Sequence, residues 1–548
     1  MSLYARRRSS SKSQPERQSI YQEFRDFEFN ENLNITYDNH TNEQPSQSIK
    51  YVEHKKYKIN RYYMTKFMTV VFLVGMQIGF IIHTMGILID VFMQKFGLDT
   101  SYKNYYASMF GFMDMIGAAL GSLAAGKLMT MGRKTSLQIG TFVGVIGTLF
   151  FQFTMIQALY FGKFLNGFGV GVYAVTILRY IDETIPYHLF DLLSPLLMVG
   201  ISFARLTTFI FYAILNPDNL NEQMVEEHYM RSEAWRIIVA FPLMLYIVIA
   251  LGVHFGIEHD TPKFAIINAK YNQGRRTVKD IYHHTEDPDQ VISFLKKHQN
   301  KYPDKATLRQ NFGSKEHQQT TIILSLIMMF HQLSGIYVVH LYQGRIHRHL
   351  YSTHESQLSA FQALILLGIF GFCSCVYTVY FMRKYPKNIQ IVTGHIIMAI
   401  IHAILAMGSA NQSDEVVVIF LLVFVIFYSI FNYAVVWTYV AEVSNNMQLA
   451  FAFFIYWLFY GLVGALNPSF TRYIEPQGVF MVHFLIQILA LIFAVLKLKS
   501  TYGMFDYQKK TVLQSQPDEK GKNQLSVKDI NEADTKLKKK ISLGPVSF

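Results

Sequence analysis

The 548-residue chain has only two cysteines, Cys373 and Cys375. They stand two apart inside one apolar run, so in a helix they cannot bridge each other, and a disulfide framework is excluded. Charge is scarce as well. Asp, Glu, Lys and Arg make up 16% of the residues and gather in the two ends and one central stretch. No phosphate-cradling glycine loop, nucleophile motif or dinucleotide fingerprint is found. The histidines are scattered, without the spacing of a zinc site. Enzymatic activity is therefore not expected, nor is a cofactor or a metal. A cleavable leader is not expected either. Residues 1–64 are polar, contain Arg6-Arg7-Arg8 and are rich in Ser, Gln and Asn. That stretch reads as a disordered tail.

What the chain does have is apolar length, with 51% hydrophobic residues. A spanning helix needs roughly 20 apolar residues. Twelve segments qualify: 67–92, 107–130, 137–156, 158–181, 192–215, 236–256, 321–344, 358–382, 389–409, 416–440, 449–470 and 478–498. Soluble helices of this length are not apolar all round, and no ten-residue alternation suggests a barrel. The expectation is an all-α membrane protein of twelve helices in two bundles. The N-terminal bundle covers 65–256 and the C-terminal bundle 321–499, with a polar loop at 257–320 and a tail at 500–548.

The net charge of +12 does not point to nucleic acid. The basic residues lie beside membrane exits, as the positive-inside rule requires of cytoplasmic loops. Arg6–Arg8, the 2–3 loop, the 257–320 loop, the 8–9 loop and Lys497/Lys499 fall on one side. The acidic 5–6 loop, with Asp218, Glu222, Glu226, Glu227 and Glu233, falls on the other. Both termini are thus expected in the cytoplasm, with lipid around the bundle and the plasma membrane as its site. The basic 7–8 loop, with Arg345, His347, Arg348 and His349, departs from this pattern.

The two halves share a pattern. Tyr180-Ile181-Asp182-Glu183 and Tyr439-Val440-Ala441-Glu442 lie 259 residues apart, each ending the fourth segment of its half. Basic clusters follow the second segment of each half: Arg133-Lys134, and Arg383-Lys384-Tyr385-Pro386-Lys387. Repeats of this kind place a binding site between halves that rock around it. Glu183 is expected to pair with Arg133, and Glu442 with Arg383 or Lys384, at the inner ends of the helices. Snorkelling of these charges to water is the alternative.

Several stretches resemble the sugar porter branch of the major facilitator superfamily. Gly162-Lys163-Phe164-Leu165-Asn166-Gly167-Phe168-Gly169-Val170-Gly171, running on to Tyr180, Glu183 and Pro186, is similar to that family's segment-4 signature, with Lys163 where arginine is usual. Trp235-Arg236, Asp260-Thr261-Pro262-Lys263-Phe264, His331-Gln332-Leu333-Ser334-Gly335-Ile336, Trp437 with Glu442, Trp457, and Thr501-x-Gly503 complete the set. The resemblance covers about residues 65–505 and implies a major facilitator fold with short cytoplasmic helices in the central loop. It implies a monosaccharide or related polyol as substrate and places Arg236 with the gating residues.

Residue chemistry names the candidate contacts. A sugar needs paired donors and acceptors plus an aromatic face. Gln332 offers both in an apolar segment 7, although a helix–helix hydrogen bond is the alternative. Trp437 can stack and donate, or anchor at the interface. His331, Tyr337 and Trp457 are expected nearby. Four amides of the resembled pattern are replaced: Met198 in segment 5, Tyr337 in segment 7, no asparagine in segment 8, and Tyr456 and Tyr460 in segment 11. Each lost hydrogen bond to a buried hydroxyl costs about 1–3 kcal/mol, which leaves a less polar, larger or aromatic-bearing substrate open.

For coupling, segment 1 reads Gly75-Met76-Gln77-Ile78-Gly79 where proton-driven members carry an aspartate. Glutamine cannot carry that proton, so facilitated diffusion is expected. Asp114, an acid within segment 2, keeps a proton-coupled carrier as one alternative. A transport-deficient sugar sensor is another. The 2–3 loop also lacks the acidic neighbour of its basic pair, which predicts a weaker gate in the first half.

Overall fold

The computed structural model describes residues 57–97, 99, 103–153, 155–215, 234–298, 308–336, 360–504 and 506–514. Among them the chain is helical, apart from one isolated antiparallel bridge between Ile59 and Tyr282. In the N-terminal half, segment 1 is Arg61–Lys95, segment 2 Lys103–Leu128, segment 3 Arg133–Phe150, segment 4 Ile156–Thr184 and segment 6 Ala234–Leu251. Segment 5 comes in two pieces, Tyr187–Leu193 and Leu196–Leu215, parted at Pro195, whose nitrogen cannot continue the ladder. In the C-terminal half, segment 7 is Lys315–Gln332, segment 8 Ala360–Lys384, segment 9 Lys387–Ala410, segment 11 Asn446–Tyr473 and segment 12 Pro476–Lys497. Segment 10 runs Asp414–Tyr428 and Ala434–Val443 through a π turn at Ser429–Tyr433.

Ten of these helices are long and apolar enough to cross a membrane among the described residues. Segments 3 and 7 fall short because their first turns are polar: Arg133-Lys134-Thr135 and Lys315-Glu316-His317. The same polar starts explain two corrections to the expected bounds. Segment 3 begins at Arg133 rather than 137, and segment 7 at Lys315 rather than 321. Segment 3 also ends at Phe150 rather than 156, ahead of the turn that leads to Met155, the N-cap of segment 4.

The central loop folds into short helices, Pro262–Ile267, Tyr271–Ile281, Pro288–His298 and Leu308–Gly313. A further short helix, Asp506–Thr511, lies within the expected tail. Lys510 within it and Leu513 just after it are buried, so this part of the tail is packed rather than solvated.

Segment 4 lies against segments 2 and 3, and segment 1 against segment 5. Small residues allow the closest approaches. A side chain at Gly167 would collide with the Asp114 carbonyl, and one at Gly171 with that of Ala118, both on segment 2. Between the halves, segment 2 runs along segment 11 and segment 5 along segment 8. The largest apolar cluster draws on both halves toward the face bearing the short helices. Two smaller clusters lie elsewhere, one of N-terminal residues and one of C-terminal residues joined by Phe209.

Candidate functional site

At the short-helix face the Arg133 guanidinium meets Glu183, with Nη2 2.7 Å from Oε1 and both side chains buried. Thr261 donates its hydroxyl to the other carboxylate oxygen at 2.5 Å. Asp260 then supplies what the 2–3 loop lacks. Its Oδ1 accepts from the backbone nitrogens of Arg133 at 3.1 Å and Thr261 at 2.9 Å. It thereby ties down the N-terminus of segment 3, where negative charge is favoured. Burial pushes the Asp260 carboxyl above the usual range, against the opposing pull of the Thr261 bond and of Arg133. The Arg133 guanidinium also sits 5.0 Å from the Phe264 ring centroid.

The C-terminal half repeats this frame. Thr501 donates to Glu442 Oε2 at 2.9 Å, as Thr261 does to Glu183. Tyr439 donates to the Lys499 carbonyl at 2.9 Å, and Tyr180 to that of His259 at 2.7 Å. The cation differs from the expectation. Arg383 and Lys384 are exposed at the end of segment 8, and Lys384 turns to the Tyr380 hydroxyl at 3.5 Å and to the Tyr380 and Tyr385 rings. Lys387, the first residue of segment 9, meets Glu442 at 3.1 Å instead. The reason is Pro386, which N-caps segment 9 and turns the chain so that the next basic residue points inward. Arg133 is likewise the first residue of segment 3.

Further groups join the halves here. Lys387 also pairs with Asp191, from the short first piece of segment 5. Arg179 of segment 4 pairs with Asp182 at 2.6 Å and donates to the Ser444 carbonyl at 2.9 Å. The helix Asp506–Thr511 adds three ties: Lys509 to Glu442 at 2.6 Å, Lys510 to Asp182 at 2.8 Å, and Asp506 to Lys263 at 3.0 Å. Burial and the nearby Arg179 charge pull Lys510 down to about 8 despite Asp182 and Asp506. Burial alone would raise Asp506, but Lys263 and Lys510 outweigh it and hold the carboxyl below its usual range. Arg236 lies elsewhere, 3.4 Å from Gln152 and 4.8 Å from the Trp235 ring, at the other end of segment 6.

In the middle of the C-terminal half the predicted contact residues come together. Gln332 ends the segment 7 helix, and the turn that follows needs Gly335, which has φ +97° and faces the His402 ring. The His331 ring lies 5.6 Å from that of Tyr456, and its Nε2 is 3.2 Å from the Tyr428 hydroxyl. Tyr456 in turn lies 5.2 Å from Trp437, which lies 6.2 Å from Trp457, both edge-on. Gln332 and Trp437 lie near the Tyr456 hydroxyl without meeting hydrogen-bond geometry. Their Nε2 and Nε1, and Nε1 of Trp457, are buried with no partner. Tyr337 lies outside the described residues. In the N-terminal half, Lys163 and Asp114 form a buried pair at 2.7 Å, and Asp114 Oδ1 is unpartnered.

The sequence reading missed Asp191, Arg179, Lys509 and Lys510 as parts of the seam. Arg179 stands out in an apolar run, which is a usable signal. The two lysines do not stand out from a Lys-rich tail. On the same face Glu258, His259 and Asp280 gather ligand atoms within 4.8 Å of one another, a grouping that spacing along the chain does not reveal.

A family profile described as "Sugar (and other) transporter" matches residues 67–509, and the chain belongs to that family. It is thus a multi-pass membrane transporter and not an enzyme. The chain is 24% identical over 406 residues to the dog "Solute carrier family 2, facilitated glucose transporter member 3", covering 71% of this chain and 78% of that protein. It is also 24% identical over 385 residues to "Hexose transporter HXT10" of Saccharomyces cerevisiae, covering 65% and 67%. A structure of the major facilitator superfamily proton:xylose symporter XylE bound to 6-bromo-6-deoxy-D-glucose matches with a TM-score of 0.71 at 18% identity, covering 83% of this chain and 100% of that one. The inward open conformation of the xylose transporter XylE from E. coli gives 0.61 at 16% identity, covering 82% and 99%. The twelve-helix major facilitator fold is therefore the fold of this chain.

Proposed function

We propose that this chain carries a monosaccharide or related polyol across the plasma membrane by alternating access, without a coupling ion. The main support is the pair of matching carboxylate clusters at one face of the seam, Glu183 with Arg133 and Glu442 with Lys387. These clusters are tied to the opposite half through Lys387–Asp191 and Lys510–Asp182, and opening that face must part these cross-seam ties, which re-form when the other face opens. These clusters are the inner gate in this reading, with Lys387 taking the place given to Arg383 and Lys384. The basic loops support a cytoplasmic position for that face and for both termini.

Gln332 and Trp437 contact the sugar, their unpartnered N–H groups waiting for hydroxyl acceptors. His331, Trp457 and Tyr337 complete the surroundings. Relatives named for glucose and hexose transport support a hexose-like substrate. Gln77 stands where a coupling acid would be needed, which supports facilitated diffusion. Purified protein in proteoliposomes should show saturable uptake of labelled hexose that runs equally in either direction and accelerates with sugar on the far side. Binding without flux would point to a sensor instead.

The Asp114–Lys163 pair favours one second reading, a proton-coupled carrier. An intramembrane acid with an unpartnered oxygen is a candidate proton site. Substrate-driven alkalinisation of the medium that Asp114→Asn abolishes would establish it over the uncoupled reading.

A further inference from the structure

Arg205 lies within segment 5, two turns beyond Met198 and on the same side of the helix. It is 92% buried by surface, with 8% exposed. Its Nε and Nη2 have no hydrogen-bond partner, and no carboxylate among the described residues forms an ion pair with it. Every other buried intramembrane cation seen so far has an acid: Lys163 has Asp114, and Arg179 has Asp182. A lone guanidinium in a low-dielectric interior is costly, and such groups are retained where they serve a ligand or pathway.

The surroundings make room for it at the seam. A side chain at Gly371 of segment 8 would strike Nη2 of Arg205. Tyr428, just before the π turn of segment 10, and Tyr433, its last residue, lie within range of its charge. Such turns recur at functional sites. Tyr428 meets His331, which adjoins Gln332, and Trp437 stands one turn beyond Tyr433. Arg205 therefore borders the cluster already proposed to hold the substrate.

Most unsatisfied atoms of this region share a polarity, the exceptions being His331 Nδ1, whose role depends on its tautomer, and the Ser202 and Ser334 hydroxyls, which donate and accept. Arg205 Nε and Nη2, Gln332 Nε2, Trp437 Nε1 and Trp457 Nε1 are donors only. The unpartnered amide oxygen of Asn432 faces Gly394 on segment 9, so it does not balance them. A neutral sugar brings hydroxyls that both donate and accept, and its protons would find few acceptors here. An ionised carboxylate is acceptor-only and matches a planar guanidinium in two parallel bonds. A phosphate dianion would need a second free cation, and Lys163 is engaged with Asp114.

We infer that the substrate class is a carboxylate-bearing monosaccharide, a uronate or aldonate, with Arg205 binding its carboxylate. This rests on the carrier reading and narrows it. The test uses full-length purified protein and compares D-glucuronate with D-glucose, first by binding and then by proteoliposome flux. A charge-assisted pair supports glucuronate binding about tenfold to a hundredfold tighter than glucose. Arg205→Gln should bring that ratio to about one, and Arg205→Lys should keep part of it. A purely structural arginine would change stability in both variants and leave the ratio alone. Glucose binding as well as or better than glucuronate in the unaltered protein overturns the inference without any variant. Saturable glucose flux with glucuronate silent sinks this inference and leaves the carrier reading standing. Flux of neither removes both.

Discussion

Glu183 and Glu442 occupy equivalent helix ends, yet they differ in where their partners come from. Arg133, Thr261 and the supporting Asp260 all belong to the N-terminal half. Glu442 shares Lys387 with Asp191 across the seam and takes Lys509 from the C-terminal helix. The duplication has kept the carboxylate, the threonine and the tyrosine. It has moved the adhesion between halves to the second cluster, while the first fastens its own half together. The expected weakness of the first cluster does not follow, because Asp260 arrives from after segment 6 to replace the missing loop acid.

The sharpest way to break this comparison is charge reversal at each carboxylate. Removing one member of a buried pair costs about 3–5 kcal/mol. Glu442→Lys should therefore open the short-helix face, read as a large gain in labelling of a cysteine placed inside it. Lys387→Glu added to Glu442→Lys should restore much of the closure. Glu183→Lys should lower the thermal midpoint as strongly while shifting labelling less. Equal labelling in both single variants would erase the distinction.

Asp260→Asn is next. It weakens the acceptors of two buried N–H groups, worth about 1–3 kcal/mol, and should lower the melting temperature by a few degrees without altering access to the second cluster.

A smaller effect is expected from pH. Burial and Arg179 hold Lys510 at about 8, below the free lysine value. Above about pH 8 the docked helix sheds this proton while the undocked tail still keeps it, so docking of Asp506–Thr511 should tighten as the pH rises through about 8, seen as slower proteolysis of the tail. Lys510→Arg, which keeps its charge, should weaken docking and remove that pH dependence. Smallest of all, Arg383→Ala and Lys384→Ala should each leave the melting temperature unchanged, since both are exposed. A marked transport defect in either would return them to the gate.

Much of the fold was legible because spanning helices need long apolar runs, and twelve such runs are hard to mistake. Helix ends were less so. Arg133 and Lys315 look like loop residues, but they begin helices and find partners or solvent there. The Arg133–Glu183 pair followed from spacing between repeats, whereas the choice of Lys387 over Arg383 turns on Pro386 alone. Gln332, His331, Trp437 and Trp457 were found together, because polar and aromatic residues in apolar helices have few places to go. Lys509 and Lys510 could not be told from their neighbours, since a charged tail residue reveals a partner only when the chain is folded.

The paired tyrosines have a mechanical consequence. Tyr180 hooks the chain leaving segment 6, and Tyr439 hooks the chain leaving segment 12, each within its own bundle. Every bundle is thus belted from its last helix back to its fourth, like a strap buckled on itself. Motion that parts the halves leaves these belts fastened, so each bundle should travel as a unit, and the flexing is left to the connection between them.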